Sequence, residues 1–236
     1  MGTLILLRHG RSSANTAGVL AGRSPGVELD DTGKGQAWAL AQRLKPVPLA
    51  AVVTSPLERC QQTVAPVVAG RGVPVQVEPK LAEVDYGDWT GRELKTLVKE
   101  SLWRVVQLHP SAAMFPGGEG IAGMQARAVA AVRRHDAAIT AEHGPGAVWL
   151  ACSHGDVIKA VVADALGLHL DGFQRIVVNP GSICVVRYTE TRPFVERVND
   201  TGGDVSALIP PPKKGRRRRP AKPSSDAVVG GSTGVP

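Results

Sequence analysis

Two hydrophobic rhythms alternate along this chain. Short runs of consecutive apolar residues, at 4–7, 50–53 and 147–152, are separated by longer stretches in which apolar residues recur every third or fourth position. The first rhythm predicts buried strands and the second amphipathic helices. Residues 4–7 make the first strand. Asp30, Asp31 and Thr32 can cap a helix whose inner face is Ala37, Leu40, Ala41 and Leu44, and Pro46 and Pro48 end it. A small strand over 50–54 leads through Ser55 and Pro56 into a second helix, with Leu57, Cys60, Val64, Val67 and Val68 facing inward. A third strand is predicted over 73–77. A long helix over 119–141 turns Met124, Ala128, Ala131, Val132 and Ile139 inward. Residues 147–152 form another strand, and the helix after it carries a stripe of Val157, Ile158, Val161, Val162 and Leu166. Residues 183–188 and 194–198 read as a closing hairpin or edge strands.

Strands alternating with helices predict an α/β fold, a three-layer α/β/α sandwich with a mostly parallel central sheet. Two stretches break the rhythm. Residues 12–27 have turn residues and no clear period, so they read as a long loop near the active edge of the sheet. Residues 82–118 hold the turn clusters Asp85-Tyr86-Gly87, Thr90-Gly91 and Pro116-Gly117-Gly118. One or two short helices are expected there, forming a lid or side wall.

Composition changes this picture mainly at the C-terminus. Of 28 Lys and Arg residues, seven lie from Val205 onward, against one of the 21 acidic residues. The net charge of +7 therefore reduces to +1 over the body. A protein that binds nucleic acid over its whole surface is not supported. The last segment is rich in Pro, Lys/Arg, Ser and Gly and cannot bury a core, so it is expected to be disordered. The division is a folded domain over 1–204 and a basic tail over 205–236. The odd set Cys60, Cys152 and Cys184 lacks a disulfide spacing and fits buried thiols in a reducing, cytoplasmic setting. The opening apolar run is far too short to cross a membrane, which takes about 20 residues. It also lacks the charged start of a signal peptide.

The candidate chemistry repeats one design. At 4–10 and again at 147–155, an apolar strand runs into a histidine and a glycine. In a parallel sheet both strand ends point to one edge, so His9 and His154 can meet there, where open α/β sheets bind ligands. A turn from strand to helix aims free backbone N–H groups at that edge and favours an anion. Arg8 adds a bidentate phosphate donor, and Arg59, one turn into the second helix, reaches the same edge. The bland readings are a packed core histidine and a solvated helix arginine. The strand-end context of His9 and His154 and the Ser55-Pro56 context of Arg59 weigh against them. His109, His135, His143 and His169 have no partner motif and read as surface residues.

Several motifs in order resemble the histidine phosphatase superfamily, the phosphoglycerate mutase-like proteins. They are Leu6-Leu7-Arg8-His9-Gly10-Arg11-Ser12 with Asn15, Leu29-Asp30-Asp31-Thr32-Gly33, and the stretch Thr54 to Thr63. Glu83 to Gly91, Pro116-Gly117-Gly118-Glu119, Ser153-His154-Gly155 and Asn179-Pro180-Gly181-Ser182 complete them. The resemblance spans about residues 3–190. It implies His9 as a nucleophile that becomes phosphohistidine. Arg8, Arg59 and His154 would hold the phosphoryl oxygens. Asn15, Ser12, Gly155 and Arg11 would help to bind substrate. Glu83 would protonate the leaving oxygen and then activate water, although Asp85, Asp88 and Glu93 lie near it in the chain. Many family members carry an acidic or amide residue where Arg11 stands, and Gly120 replaces a usual serine.

The resemblance implies a phosphatase of small phosphorylated metabolites, working without a cofactor or metal. A phosphoglycerate mutase is the alternative. The mutase branch usually has a longer basic segment after the acid, whereas 91–115 is compact here. An alternative of another class is a binding protein acting through its basic tail. No membrane partner is expected, and nucleic acid only through weak, salt-sensitive contacts of the tail. A homodimer stays open.

Overall fold

β1 (Thr3–Arg8), β2 (Leu49–Thr54), β3 (Val75–Val77), β4 (Val148–Ser153), β5 (Ile183–Arg187) and β6 (Phe194–Asp200) join in one mixed sheet of order β3-β2-β4-β1-β5-β6. The computed structural model describes residues 1–203, 230 and 231. β1 and β2 run parallel to β4, and β3 runs parallel to β2. β5 and β6 are antiparallel additions on the far side of β1. This is the mostly parallel sheet with closing edge strands that the hydrophobic rhythm predicts.

The alternation within β1 shows how the layers form. Leu4 and Leu6 point into the core shared with α6 (Ile121–His143) and α7 (Gly155–Ala165). Ile5 and Leu7 point the other way, toward α2 (Asp31–Leu44) and α3 (Glu58–Val68). All four are buried, as a strand covered on both faces requires. α2 starts where the sequence predicts, with Asp30 as N-cap accepting from the Gly33 amide at 2.8 Å.

Several local expectations change. The stretch 12–27 contains a short helix, α1 (Ser13–Ala17), closed by a reciprocal cap between Ser12 and Asn15. A helix of one turn leaves no apolar period to read. α3 begins at Glu58, and Leu57 before it makes no side-chain cap. Ser55 therefore does not cap the first turn: its hydroxyl lies 2.7 Å from His154 Nε2 and reaches the helix entry only through the Leu57 amide at 3.4 Å. The third strand is shorter than predicted, starting at Val75. His135 is buried rather than on the surface, its Nε2 lying 2.9 Å from Glu78 Oε2, beside Arg134. The three cysteines are free and buried. Among the described residues, no helix is long and apolar enough to cross a membrane. The expectation of a disordered tail lies outside the described residues, apart from Gly230 and Gly231.

Between β3 and α6 the chain builds a side wall on the core shared with α6 and α7. It includes α4 (Leu94–Leu97) and α5 (Ser101–Leu108), with single 3-10 turns at Gly87–Trp89 and Pro110–Ala112. Aromatic rings hold it together. Tyr86 meets Phe115 edge-on at 4.9 Å, Phe115 meets Trp89 at 5.3 Å, and Trp89 stacks on Trp103 at 6.2 Å.

Candidate active site

The register of the sheet brings the two histidines together. Arg8 on β1 is opposite Ser153 on β4, so His9 and His154, the next residues, emerge side by side. The His9 amide donates to the Ser153 carbonyl at 3.0 Å, and the two imidazole centroids are 5.2 Å apart. On the other side of β4, the Ser55 amide donates to the Cys152 carbonyl at 2.9 Å. Ser55 Oγ is thereby held 2.7 Å from His154 Nε2.

Hydrogen bonds determine which imidazole nitrogen can react. His9 Nδ1 lies 2.7 Å from its neighbour's acceptor, the Gly10 carbonyl, so Nδ1 carries the proton. The lone pair is then on Nε2, and Arg59 Nε donates to it at 3.3 Å. Arg59 Nη2 donates to the Gly22 carbonyl at 2.8 Å and to His154 Nδ1 at 3.2 Å. His154 therefore carries its proton on Nε2 and donates it to Ser55 Oγ. Arg59 Nη1 is buried with no hydrogen-bond partner among the described residues. An unsatisfied guanidinium N–H beside a nucleophilic nitrogen is suited to an anionic oxygen.

Arg8 closes the floor. Its Nη1 donates to the Val178 carbonyl at 2.7 Å. Burial lowers its pKa to about 10, which leaves it charged at neutral pH. His9 and His154 are held well below the usual imidazole range, first by burial and then by Arg59. Both imidazoles therefore favour the neutral form. α7 starts at Gly155, and His154 before it offers no side-chain cap. The amides of the first turn are left for an anion.

Glu83 lines the same pocket as His9, Arg59, Ser12 and Asn15. Of the four neighbouring carboxylates weighed in the sequence, it is the one that lies there. Asp85 faces Arg23, Glu93 pairs with Lys95, and Asp88 is exposed. Burial pushes the Glu83 carboxyl up to about 7, with a further contribution from Asp156. Its position comes from a clasp between two turn clusters. Gly87 has φ +50, and a Cβ there would lie 2.1 Å from the Pro116 carbonyl oxygen. The Asp88 amide donates to that same oxygen at 2.8 Å, and the Glu119 amide donates to the Asp85 carbonyl at 2.9 Å. The Glu83 carbonyl accepts from Arg23 Nε at 2.8 Å and Arg127 Nη2 at 3.1 Å, and both arginines pair with Glu119.

The substrate-binding expectations divide. Ser12 and Asn15 line the pocket, but their side chains also close the α1 cap. Gly155 sits at the head of α7 against Gly230 and Gly231. Arg11 is not brought to the pocket. Its guanidinium is taken up by Asp30 at 2.6 Å and Thr32 at 2.7 Å, on the α2 side. The residues missed in the sequence are Ser55 as the partner of His154, and the pair Tyr86 and Asp156. Tyr86 donates its hydroxyl to Asp156 Oδ2 at 2.9 Å, with both side chains buried. An acid in the first turn of α7 was visible, but its orientation toward Tyr86 depends on the wall.

Comparison with known proteins identifies the family. A 32% identical relative is a probable phosphoglycerate mutase, GpmB, of Cronobacter sakazakii, matched over 87% of this chain and 94% of the relative. The adenosylcobalamin/alpha-ribazole phosphatase of Escherichia coli is 32% identical over 75% of this chain and 86% of its own length. Among solved structures, Bacillus stearothermophilus YhfR superposes with a TM-score of 0.77 at 27% identity, covering 85% of this chain and 98% of that one. The model of the histidine phosphatase superfamily (branch 1) matches residues 4–201, the span that carries the paired histidines, both arginines and Glu83. The chain is therefore an enzyme of the histidine phosphatase superfamily.

Proposed function

We propose that the enzyme hydrolyses small phosphomonoesters through a phosphohistidine on His9, with Glu83 as acid and then base and with no metal ion in the reaction. The observation that carries this reading is one pocket holding the His9 Nε2 lone pair, the Arg59 guanidinium and a carboxyl whose pKa is about 7. His9 Nε2 attacks phosphorus, the ester P–O bond breaks, and the leaving oxygen takes the Glu83 proton. Water then attacks phosphorus, its proton passes to the Glu83 carboxylate, and the P–N bond breaks to release phosphate. Arg8 and Arg59 neutralise charge on the phosphoryl oxygens, the main demand of phosphoryl transfer, and His154 helps to hold those oxygens. Ser12, Asn15 and the Gly155 amide complete the pocket. Residues 1–204 are the catalytic unit, and the enzyme works in the cytoplasm on a phosphorylated metabolite.

A phosphoglycerate mutase is the second reading, favoured by the GpmB relative. Against it, Arg92 pairs with Glu100 and Lys95 with Glu93, so two of the basic residues of 91–115 are occupied outside the pocket. The test is turnover of a phosphomonoester panel by wild type and His9→Ala, in EDTA, from acidic to neutral pH. Release of phosphate that persists in chelator and vanishes in the variant supports the phosphatase. Interconversion of 3- and 2-phosphoglycerate without phosphate release supports the mutase. Absence of both overturns the enzymatic reading in favour of a binding role for the basic run at 213–222, which lies outside the described residues.

A further inference from the structure

The pocket is already filled by this chain. Gly230 and Gly231 line it together with His9, Arg59 and Glu83, and the remaining cavity is about 30 Å³. That is room for about two waters and not for a phosphomonoester. His9 is only 3% exposed and Arg59 2%.

The contacts of this segment are specific. The Gly230 amide donates to Asp156 Oδ2 at 2.8 Å, and the Gly230 carbonyl accepts from Arg8 Nη2 at 3.2 Å. A single glycine residue thus bridges a buried carboxylate and a buried guanidinium of the site. The fit also requires three glycines. A Cβ on Gly231 would lie 3.0 Å from Arg8 Nη1 and 3.1 Å from Gly155 Cα, and one on Gly155 would lie 2.7 Å from the Gly230 oxygen. Both Gly230 and Gly231 have φ +81, a conformation that disfavours every side chain.

We propose that the phosphoryl pocket is also a docking site for the Gly230–Gly231 segment, which a phosphorylated substrate must displace. This rests on the reading of Arg8, Arg59 and the two histidines as a phosphoryl pocket. On Arg8 the Gly230 carbonyl takes the position of an anionic oxygen, without bringing negative charge to Arg59. Ordering two glycines is entropically expensive, so the contact is weak compared with a phosphate dianion. The segment acts as a competitor. It raises the apparent KM by the inverse of the open fraction and leaves kcat unchanged.

The test compares full-length wild type with Gly231→Val, and separately with Gly230→Val. Orthovanadate affinity is measured by calorimetry, and KM and kcat with a phosphomonoester. Either valine should tighten vanadate binding by about threefold to tenfold and lower KM by the same factor at constant kcat. Hydrogen exchange at Gly230 and Gly231 should speed up when vanadate is added to wild type. Equal vanadate affinity and equal KM in all three proteins, with turnover intact, overturn the docking and leave the phosphatase standing. Tighter vanadate binding by the variants, with no turnover in any protein, supports the docking and overturns the phosphatase.

Discussion

Replacing Glu83 by Gln removes one titratable proton while keeping an oxygen for the Val84 amide, which donates to Glu83 Oε1 at 2.9 Å. The exposed carboxyl of the unfolded chain ionises near 4.5, and the folded one near 7 because burial, and then Asp156, oppose its charge. Between these values the folded chain keeps a proton that the unfolded chain has released. Stability is therefore full below pH 4.5 and is lost as pH rises through 7. The interval corresponds to about 3 kcal/mol. Urea unfolding of both proteins from pH 4 to pH 9 measures it as the difference between the two profiles. Wild type should lose about 3 kcal/mol relative to Glu83→Gln, a shift of about 1 M in the difference between their urea midpoints. On the proposed mechanism the same proton sets activity. The alkaline limb of kcat/KM should fall near pH 7, where Glu83 ionises. The acid limb should lie well below 6.5, because His9 resists protonation. The variant should lose about 10²- to 10⁴-fold in kcat. Midpoints that stay parallel across the pH range would refute the raised pKa. A variant that retains most of its turnover would move the acid to another carboxylate.

Three further outcomes follow from the geometry. His9→Ala should give no phosphate release above background, and acid-quenched wild type should carry an acid-labile phosphoryl group that this variant lacks. Arg59→Lys keeps the charge but loses the fork that spans His9, Gly22 and His154, so kcat/KM should fall about 10²-fold without loss of fold, measured by turnover and circular dichroism. Gly87→Ala forces a Cβ against the Pro116 carbonyl at positive φ. It should lower stability by about 2 kcal/mol in urea unfolding and reduce kcat as Glu83 shifts.

What could be read from the chain divides by the range of the interactions. The strands and main helices were legible because burial on two faces or one stripe imposes a period. The meeting of His9 and His154 was legible too, since a parallel register follows from the alternation of elements. Other features depend on contacts between distant segments. Ser55 looks like a helix cap within its own pentapeptide, and the choice of His154 as its partner is made by the β2–β4 register. Arg11 looks like a pocket cation next to His9, yet Asp30 and Thr32, about twenty residues on, draw it away. His135 looks like a surface histidine until Glu78 is brought to it. The segment 205–236 has no hydrophobic period at all, and the contact of Gly230 with Arg8 leaves no trace in composition.

The aromatic wall between β3 and α6 has a further implication. Its rings pack on one another and run into the core shared with β1, α6 and α7, and it meets the pocket through Glu83, Tyr86 and Leu94. His9, by contrast, is placed by strand pairing. On the proposed mechanism, the wall would recognise the leaving group and the strand ends would handle the phosphoryl group. A lineage could exchange the wall, ring for ring, and acquire a new leaving group while the strand-end groups stay where they are. Transplanting residues 87–118 from a relative of known preference is the corresponding laboratory route to new selectivity.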